Sequence, residues 1–416
     1  MFFLIDCDNF FASCETIFRP DLKGKPLIIL SNNDGCVVSR SYEAKALGIP
    51  MCAPYFKISR EFERQGGIAL SSNYELYANI SKRLMNILHQ EVNNLEIYSI
   101  DEAFTEISGH TDYLKFARHL RQRILRDIGI SVSIGIAPTK TLCKIASEKA
   151  KKKNCDKIYF LETSEQIRQI LQTTEIENIW GIGKNLSSKL NFMGIFTGSD
   201  LIETPQDIIR RKFGITLEKT MRELQGIPCL KIEENAEQKS IISSRSFDHE
   251  INQIETLEKI ISEFVEHAAL RLRQQKSLAR NITVFIKTNR FNTRQEQQNS
   301  SITVDLGYPC NHTGHFIQAM KKGLKQIYQH QTYYKSAGVI LSNISDEQAS
   351  QKNLFEENNS RTKEIELMKA FDHINQHLGA KSLFFGEQAP QDLKFIKKEF
   401  RSQAYTTSWN ELPTAK

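Results

Sequence analysis

Two pairs of acidic residues carry the first chemical suggestion in this chain. Asp6 and Asp8 stand one residue apart in MFFLIDCDNFFASCE, at the end of an apolar run, and Asp101 and Glu102 follow another in YSIDEAF. Side chains at i and i+2 of a strand leave on one face, so Asp6 and Asp8 would point together. Close carboxylates repel each other and resist desolvation unless a cation lies between them. Hard oxygen ligands suit Mg²⁺, which keeps part of its water and takes further oxygens from a phosphate. Two such ions about 3.5–4 Å apart clamp the attacking and leaving oxygens of an in-line phosphoryl displacement. Turn formation is the other reading of both pairs, since Asp is common where a strand ends. Asp101 and Glu102 reach one site only if the backbone bends, because neighbours on an ideal strand face opposite sides. A third feature is basic: Lys140, Lys144, Lys149, Lys151, Lys152 and Lys153 fall between Pro138 and Asn154 with one acid, Glu148. That run is either a solvated helix face or a contact for a polyanion.

These residues must be held by a folded frame. A chain of 416 residues exceeds one ordinary core and predicts about two to four domains. The first 165 residues alternate strand-like runs (FFLID, PLIIL, CVVS, LEIYSI, ISVSIGIA, KIYFL) with helical patterns over Tyr74 to Glu91, Tyr113 to Arg126 and Lys140 to Lys151. This is an α/β pattern. From Ser164 to about Ile232 the pattern is helical, and EENAEQKS (233–240) reads as a linker. Residues 241–345 follow as β-α-β-β-α-β, the ferredoxin-like arrangement. Beyond Ile344 a polar, acidic stretch suggests an extended tether. The eight cysteines form no CxxC pair, so neither a zinc site nor a disulfide framework is expected. No apolar run reaches the ~18 residues of a membrane span, and an acid at position 6 interrupts any leader-like start, so a cytoplasmic, non-membrane protein is expected. The net charge of +6 permits a polyanionic partner.

MFFLIDCDNFFASCE, SNNDGCVVSRSYEAKALGI, SSNYELYA, IYSIDEAF, GIAPTKTLCKIASEKAKK and WGIGKNLSSKL occur in the order and spacing of the Y-family DNA polymerases, and the chain resembles the UmuC-type subunits throughout. The resemblance implies a multidomain α/β protein: a ferredoxin-like palm with inserted fingers (1–165, fingers about 11–75) and an all-helical helix-hairpin-helix thumb (166–232). A β-α-β-β-α-β little finger (241–345) and a partly disordered C-terminal tail (346–416) complete it. It implies error-prone translesion synthesis in an SOS-type response, with two Mg²⁺ ions, or Mn²⁺ in their place, and primer-template DNA and a dNTP as substrates. By the same resemblance Asp6 and Asp101 are metal-binding aspartates, Glu102 helps hold the catalytic ion near the primer 3′-hydroxyl, and Cys7 offers its backbone carbonyl. Asp8 matches no ligand position, against the expectation from its spacing.

Further roles come over in the same way. Phe11 matches the steric gate under the incoming sugar, where relatives commonly have Tyr, and Phe10 would line the same pocket. Ser39, Tyr42 and Lys45 match finger contacts to the triphosphate, Lys45 standing where many relatives have Arg, which exchanges a bidentate fork for a point charge. Lys151 matches the palm lysine that reaches the nucleotide phosphates. Gly181 and Gly183 match the hairpin whose following helix N-terminus binds a DNA phosphate. Gln351, Leu354 and Phe355 in QKNLF resemble a sliding-clamp peptide, with Lys352 departing from the usual apolar residue. The tail resembles the UmuC-type C-terminal region but departs at Leu393 and in Ser402-Gln-Ala-Tyr405. A processed UmuD dimer and RecA are the implied partners, with nucleoid association when DNA is bound. Two other classes compete: a DNA-bound scaffold without catalysis, which the acid set disfavours, and a nucleotidyl cyclase, which would not need a DNA-binding thumb.

Overall fold

Every residue of the hexapeptide FFLIDC, strand β1 (Phe2–Cys7), is buried, Asp6 included. A strand buried on both faces needs cover on both sides, and the computed structural model supplies it. The structure describes residues 1–109, 112–152, 156–233, 237–292, 295–347, 358–379, 381–386 and 397–412. The chain forms two compact units, Met1–Ala236 with Phe400–Lys416, and Glu237–Glu399.

In the first unit β1 leads into α1 (Phe10–Phe18), then β2 (Leu27–Leu30), β3 (Val37–Arg40), α2 (Tyr42–Ala46), α3 (Tyr55–Arg64) and β4 (Ile68–Ser71). The strands β3-β2-β4 form a small sheet of their own. Next come α4 (Tyr74–Glu91), β5 (Leu95–Ile97), β6 (Glu102–Glu106), α5 (Tyr113–Ile128), β7 (Val132–Ala137), α6 (Lys140–Ala150) and β8 (Ile158–Phe160). The large sheet runs β5-β6-β1-β7-β8, and β1 lies between antiparallel β6 and β7. Alternation along β1 splits its side chains between two cores. Phe3 and Ile5 pack with Leu84 and Leu88 of α4 and Leu120 and Ile124 of α5. Phe2 and Leu4 pack with Leu142 and Ala146 of α6.

That second core continues into the helical segment α7 (Ser164–Gln172), α8 (Lys184–Phe192), α9 (Gly198–Glu203), α10 (Gln206–Phe213) and α11 (Ile215–Leu224). Leu171, Leu190, Leu201 and Leu224 share a cluster with Phe2, Leu4 and Phe104. The apolar residues of this helical segment share a core with the sheet. Glu223 fixes the junction. Fully buried, it accepts from Thr141 N at 3.0 Å and Thr141 Oγ1 at 3.1 Å in the first turn of α6, and from Cys229 N at 2.7 Å and Leu230 N at 3.0 Å. A carboxylate there complements the positive end of the α6 dipole.

The second unit holds β9 (Ile241–Ile251), α12 (Ile254–Gln274), β10 (Ser277–Thr288), β11 (Asn299–Cys310), α13 (Thr313–Ile327), β12 (Tyr334–Asp346) and α14 (Asn358–His377). The β-α-β-β-α-β order is as expected. The sheet order, β11-β10-β12-β9, differs from the ferredoxin-like one, because the second and fourth strands rather than the first and third are central. Within the tail, α14 joins this unit through Arg273–Asp372 at 2.6 Å, while Phe400–Leu412 packs with the first. The clamp-like residues Gln351, Leu354 and Phe355, and the departing Leu393, lie outside the described residues.

Gly135 lets α6 press on the sheet. A methyl there would meet the Cys143 carbonyl and lie 2.5 Å from Ser147 N, both backbone atoms of α6. Gly135→Ala therefore lowers stability by about 1–3 kcal/mol, measured by urea unfolding; an unchanged midpoint would contradict this close approach.

Candidate active site

Strand register sets the central contact. Asp6 and Glu102 are direct cross-strand partners of β1 and β6, and directly opposed like charges destabilise a sheet. Asp6 is 4% exposed. Burial, then a hydrogen bond with Glu102, pushes its carboxyl up to about 8, and the Lys151 ammonium at 2.8 Å offsets only part of this. Glu102 is held below the ordinary range by its bonds to Asp6 and Lys144, despite burial; Lys144 Nζ lies 2.7 Å away. Of the two, Asp6 is thus the carboxyl that takes up a proton more readily. Both lysines lie at or just beyond α6, so the basic run is not a solvated face throughout.

The turn between β5 and β6 brings the third acid in. Tyr98 N and Ser99 N both donate to the Glu102 carbonyl at 3.1 Å, and Cys7 N donates to the Asp101 carbonyl at 3.0 Å. Asp101 therefore stands beside the end of β1, its carboxylate accepting from Ser99 Oγ at 2.6 Å. This is the bend that the adjacent acids require. Asp8 goes elsewhere: it accepts from Ser131 Oγ at 2.9 Å and Ser133 Oγ at 2.7 Å and faces Lys157 at 3.4 Å. The spacing argument for a cation between Asp6 and Asp8 fails, because serines and a lysine already satisfy Asp8. Among the described residues no three His, Cys, Asp or Glu side chains form a ready-made metal cage. Asp6 and Glu102 face each other, while the Asp101 carboxylate is turned to its own loop.

Around the acids lies a basic, aromatic rim. Tyr42 OH accepts from Lys157 Nζ at 2.6 Å, and Lys45 Nζ sits 5.4 Å from the Tyr42 ring centre. Burial lowers the Lys45 pKa, and the nearby Arg40 and Lys151 charges lower it further. Arg40 and Lys157 were not singled out by the sequence motifs. Lys157 lies just past the basic run, and only the fold brings it to Asp8. Ser39 Oγ is spent on α1, accepting from Ala12 N at 3.3 Å and donating to the Asn9 carbonyl at 3.4 Å. Phe11 is half-buried, stacked on Tyr77 with ring centres 4.5 Å apart, and Phe10 is buried beside it at 5.8 Å.

This geometry can be set against known proteins. Residues 5–148 match the impB/mucB/samB family and 238–354 its C-terminal domain, while 366–415 match a domain of unknown function. Protein UmuC of Salmonella typhimurium is 40% identical over 99% of both chains. Protein SamB of the same organism is 37% identical over 100% of both. The chain belongs to the impB/mucB/samB family. Among solved structures, a Y-family DNA polymerase chimera of Dbh and Dpo4 matches with a TM-score of 0.69 at 22% identity, covering 83% of this chain and 99% of that one. DinB from Sulfolobus solfataricus matches at a TM-score of 0.53 with 22% identity and the same coverage. The fold of this family member is therefore that of Y-family DNA polymerases.

Gly181 and Gly183 of this impB/mucB/samB protein form the turn before α8. Gly181 has φ +88°, which favours glycine, and Gly183 is the N-cap, with no side-chain cap on the helix amides. Trp180 ties that turn to the acidic hairpin: its Nε1 donates to Tyr98 OH at 3.0 Å, and its ring lies 5.8 Å from Phe104. Lys144 Nζ sits 4.3 Å from the Tyr98 ring centre, a cation–π contact. The chain has two tryptophans, and Trp409 is 90% exposed, so a Trp409→Phe background leaves Trp180 as the reporter. Tyr98→Ala in that background red-shifts the emission and costs about 1–2 kcal/mol, read by fluorescence and urea unfolding. Unaltered emission would mean that the turn before α8 is not held by Tyr98.

Proposed function

We propose that this chain is an error-prone translesion DNA polymerase, transferring a dNMP from a dNTP to a primer 3′-hydroxyl under template direction in SOS-type damage tolerance. The observation that carries this reading is the opposed Asp6–Glu102 pair, its buried Asp6 capped by Lys151, in a chain 40% identical to UmuC over 99% of its length. In this reading the sheet around β1 is a ferredoxin-like palm, β2 to β4 belong to the fingers, α7 to α11 form the thumb, and β9 to β12 with their helices form the little finger.

Asp6, Asp101, Glu102 and the Cys7 carbonyl would hold two Mg²⁺ ions, which polarise phosphates and lower the pKa of an attacking hydroxyl. The donor set supports that assignment. It consists of hard oxygens, and the Lys151 ammonium that now faces Asp6 is the charge a cation would replace. Lys151 then turns to the triphosphate, where Arg40, Lys45 and Lys157 add positive charge and Tyr42 orients them. Ser39 holds the start of α1 in place of a direct phosphate contact. Phe11, backed by Phe10 and Tyr77, closes the space a 2′-hydroxyl would need. Free amides at the start of α8 receive a DNA phosphate without reading sequence. A processed UmuD dimer, RecA and the sliding clamp are the proposed partners, by the family resemblance. No helix among the described residues is long and apolar enough to cross a membrane.

Asp101→Asn keeps primer-template binding and lowers extension by more than about 100-fold, read by gel extension beside a DNA-binding titration. Undiminished extension would remove Asp101 from the site. The raised Asp6 carboxyl gives a second expectation. With Asp6 raised to about 8, its carboxyl is protonated at pH 7, and cation binding must release that proton. Apparent Mg²⁺ affinity therefore climbs up to about tenfold per pH unit towards pH 8 and flattens above it. Calorimetric titrations in two buffers of different ionisation enthalpy report the release. Binding that releases no proton at pH 7 would contradict the raised Asp6 carboxyl.

A further inference from the structure

Glu15 is a buried acid that the reaction does not use. It is fully buried in α1, burial raises its pKa, and its Oε2 has no hydrogen-bond partner among the described residues. Its other oxygen, Oε1, takes two donors. Tyr77 OH of α4 lies at 2.8 Å, and Ser402 Oγ, from the C-terminal segment some 387 positions away, lies at 3.1 Å. A buried carboxyl with two partners from distant segments fixes their relative placement, because losing either leaves polar atoms unsatisfied.

The C-terminal segment is held at several other points. Ser71 N donates to the Phe400 carbonyl at 3.0 Å, and Phe400 N donates to Ser71 Oγ at 3.0 Å. Asn73, whose Oδ1 caps α4 by accepting from Leu76 N at 3.3 Å, uses its Nδ2 on Ser402 Oγ at 3.0 Å and the Gln403 carbonyl at 3.2 Å. Tyr405 stacks on Phe18, at the far end of α1, with ring centres 4.7 Å apart and planes within 2°. The segment therefore grips both helices that carry the Phe11 pocket: α1, which bears Phe11, and α4, which bears Tyr77. Tyr77 stacks on Phe11 with planes 13° apart, and Tyr74 meets the same ring edge-on at 5.9 Å.

We infer that the C-terminal segment 400–405 is a positioning element for sugar selection: Ser402 sets Glu15, Glu15 sets Tyr77, and the Tyr77 ring sets the plane of Phe11. This rests on the reading of Phe11 as the residue that excludes a 2′-hydroxyl. It gives a role to part of the region, 366–415, that matches a domain of unknown function. Ser402 and Tyr77 are positioning residues, since neither touches the sugar. The gate's rigidity is then supplied from the end of the chain, and only after that end has docked.

The test uses the full-length protein and single-nucleotide insertion, comparing kcat/KM for a dNTP with that for the matching rNTP. Ser402→Ala and Tyr77→Phe each remove one hydroxyl and leave the packing in place. Each lowers the deoxy-to-ribo ratio by about 3–10-fold through a displaced ring, chiefly by raising kcat/KM for the ribonucleotide. Glu15→Gln keeps an acceptor and keeps the ratio, whereas Glu15→Leu lowers it. Melting temperature is followed alongside, because a merely structural contact would shift it without moving the ratio. Phe11→Ala is the control for the underlying reading. If Phe11→Ala loses selection and Ser402→Ala keeps the wild-type ratio, the inference is overturned and the gate stands. If Phe11→Ala keeps full selection, the gate reading and the inference fall together.

Discussion

Two carboxylates face each other across the middle of a sheet, at the end of a strand buried on both sides, and much of the first unit is arranged around that repulsion. Without compensation, such a pair would be expelled to solvent or would separate the strands. Here two lysines balance it, Lys151 on Asp6 and Lys144 on Glu102. Both lysines come from one stretch of chain, so the position of α6 decides whether the acids are tolerated. Gly135 lets that helix approach the sheet at backbone distance, and Glu223 fixes its first turn.

The same constraint explains why the helical segment shares a core with the sheet. Lys144 makes its ion pair while lying over Tyr98, Phe104 and Trp180, so its charge is screened by ring faces from one side. Trp180 begins the turn before α8, and Tyr98 begins the turn that carries Asp101. A displacement of the α8 turn would therefore be felt at Lys144 and, one contact further, at Glu102. The carboxylates and the glycine turn are mechanically one assembly, even though about 80 residues separate Tyr98 from Trp180.

How much of this could be read from sequence follows the physics of each feature. β1, α4, α5 and α6 are long, strongly patterned elements, and periodicity finds such elements. α1 escaped because FFASCETIF has no polar face to mark a helix, and β4 because IALS is too short to alternate visibly. The places of Asp6, Asp101 and Glu102 at strand ends were legible from the apolar runs before them. Asp8 misled, because spacing gives direction without giving partners, and Ser131 and Ser133 lie more than 120 residues away. Arg40, Lys157 and Glu223 carried no local signal, since their importance lies in what the fold sets opposite them. The strand order of the second unit was equally silent: one β-α-β-β-α-β string is compatible with either central pair of strands.

The tail is the clearest case of a long-range feature. Its residues from Phe400 to Tyr405 carry no local signal of what they contact, yet they join the edge of the small sheet at Ser71 and reach the buried Glu15. An apolar residue at Glu15 would pack more cheaply, because burying a carboxyl costs more than burying a methylene chain. The acid is useful only if it must distinguish one placement of its neighbours from others, as hydrogen bonds do and dispersion contacts do not. Two donors from different segments meeting at one oxygen meet that requirement. A ring stacked on one of the donors then inherits the precision of the contact, which is the property needed where a single hydroxyl group separates a substrate from its competitor.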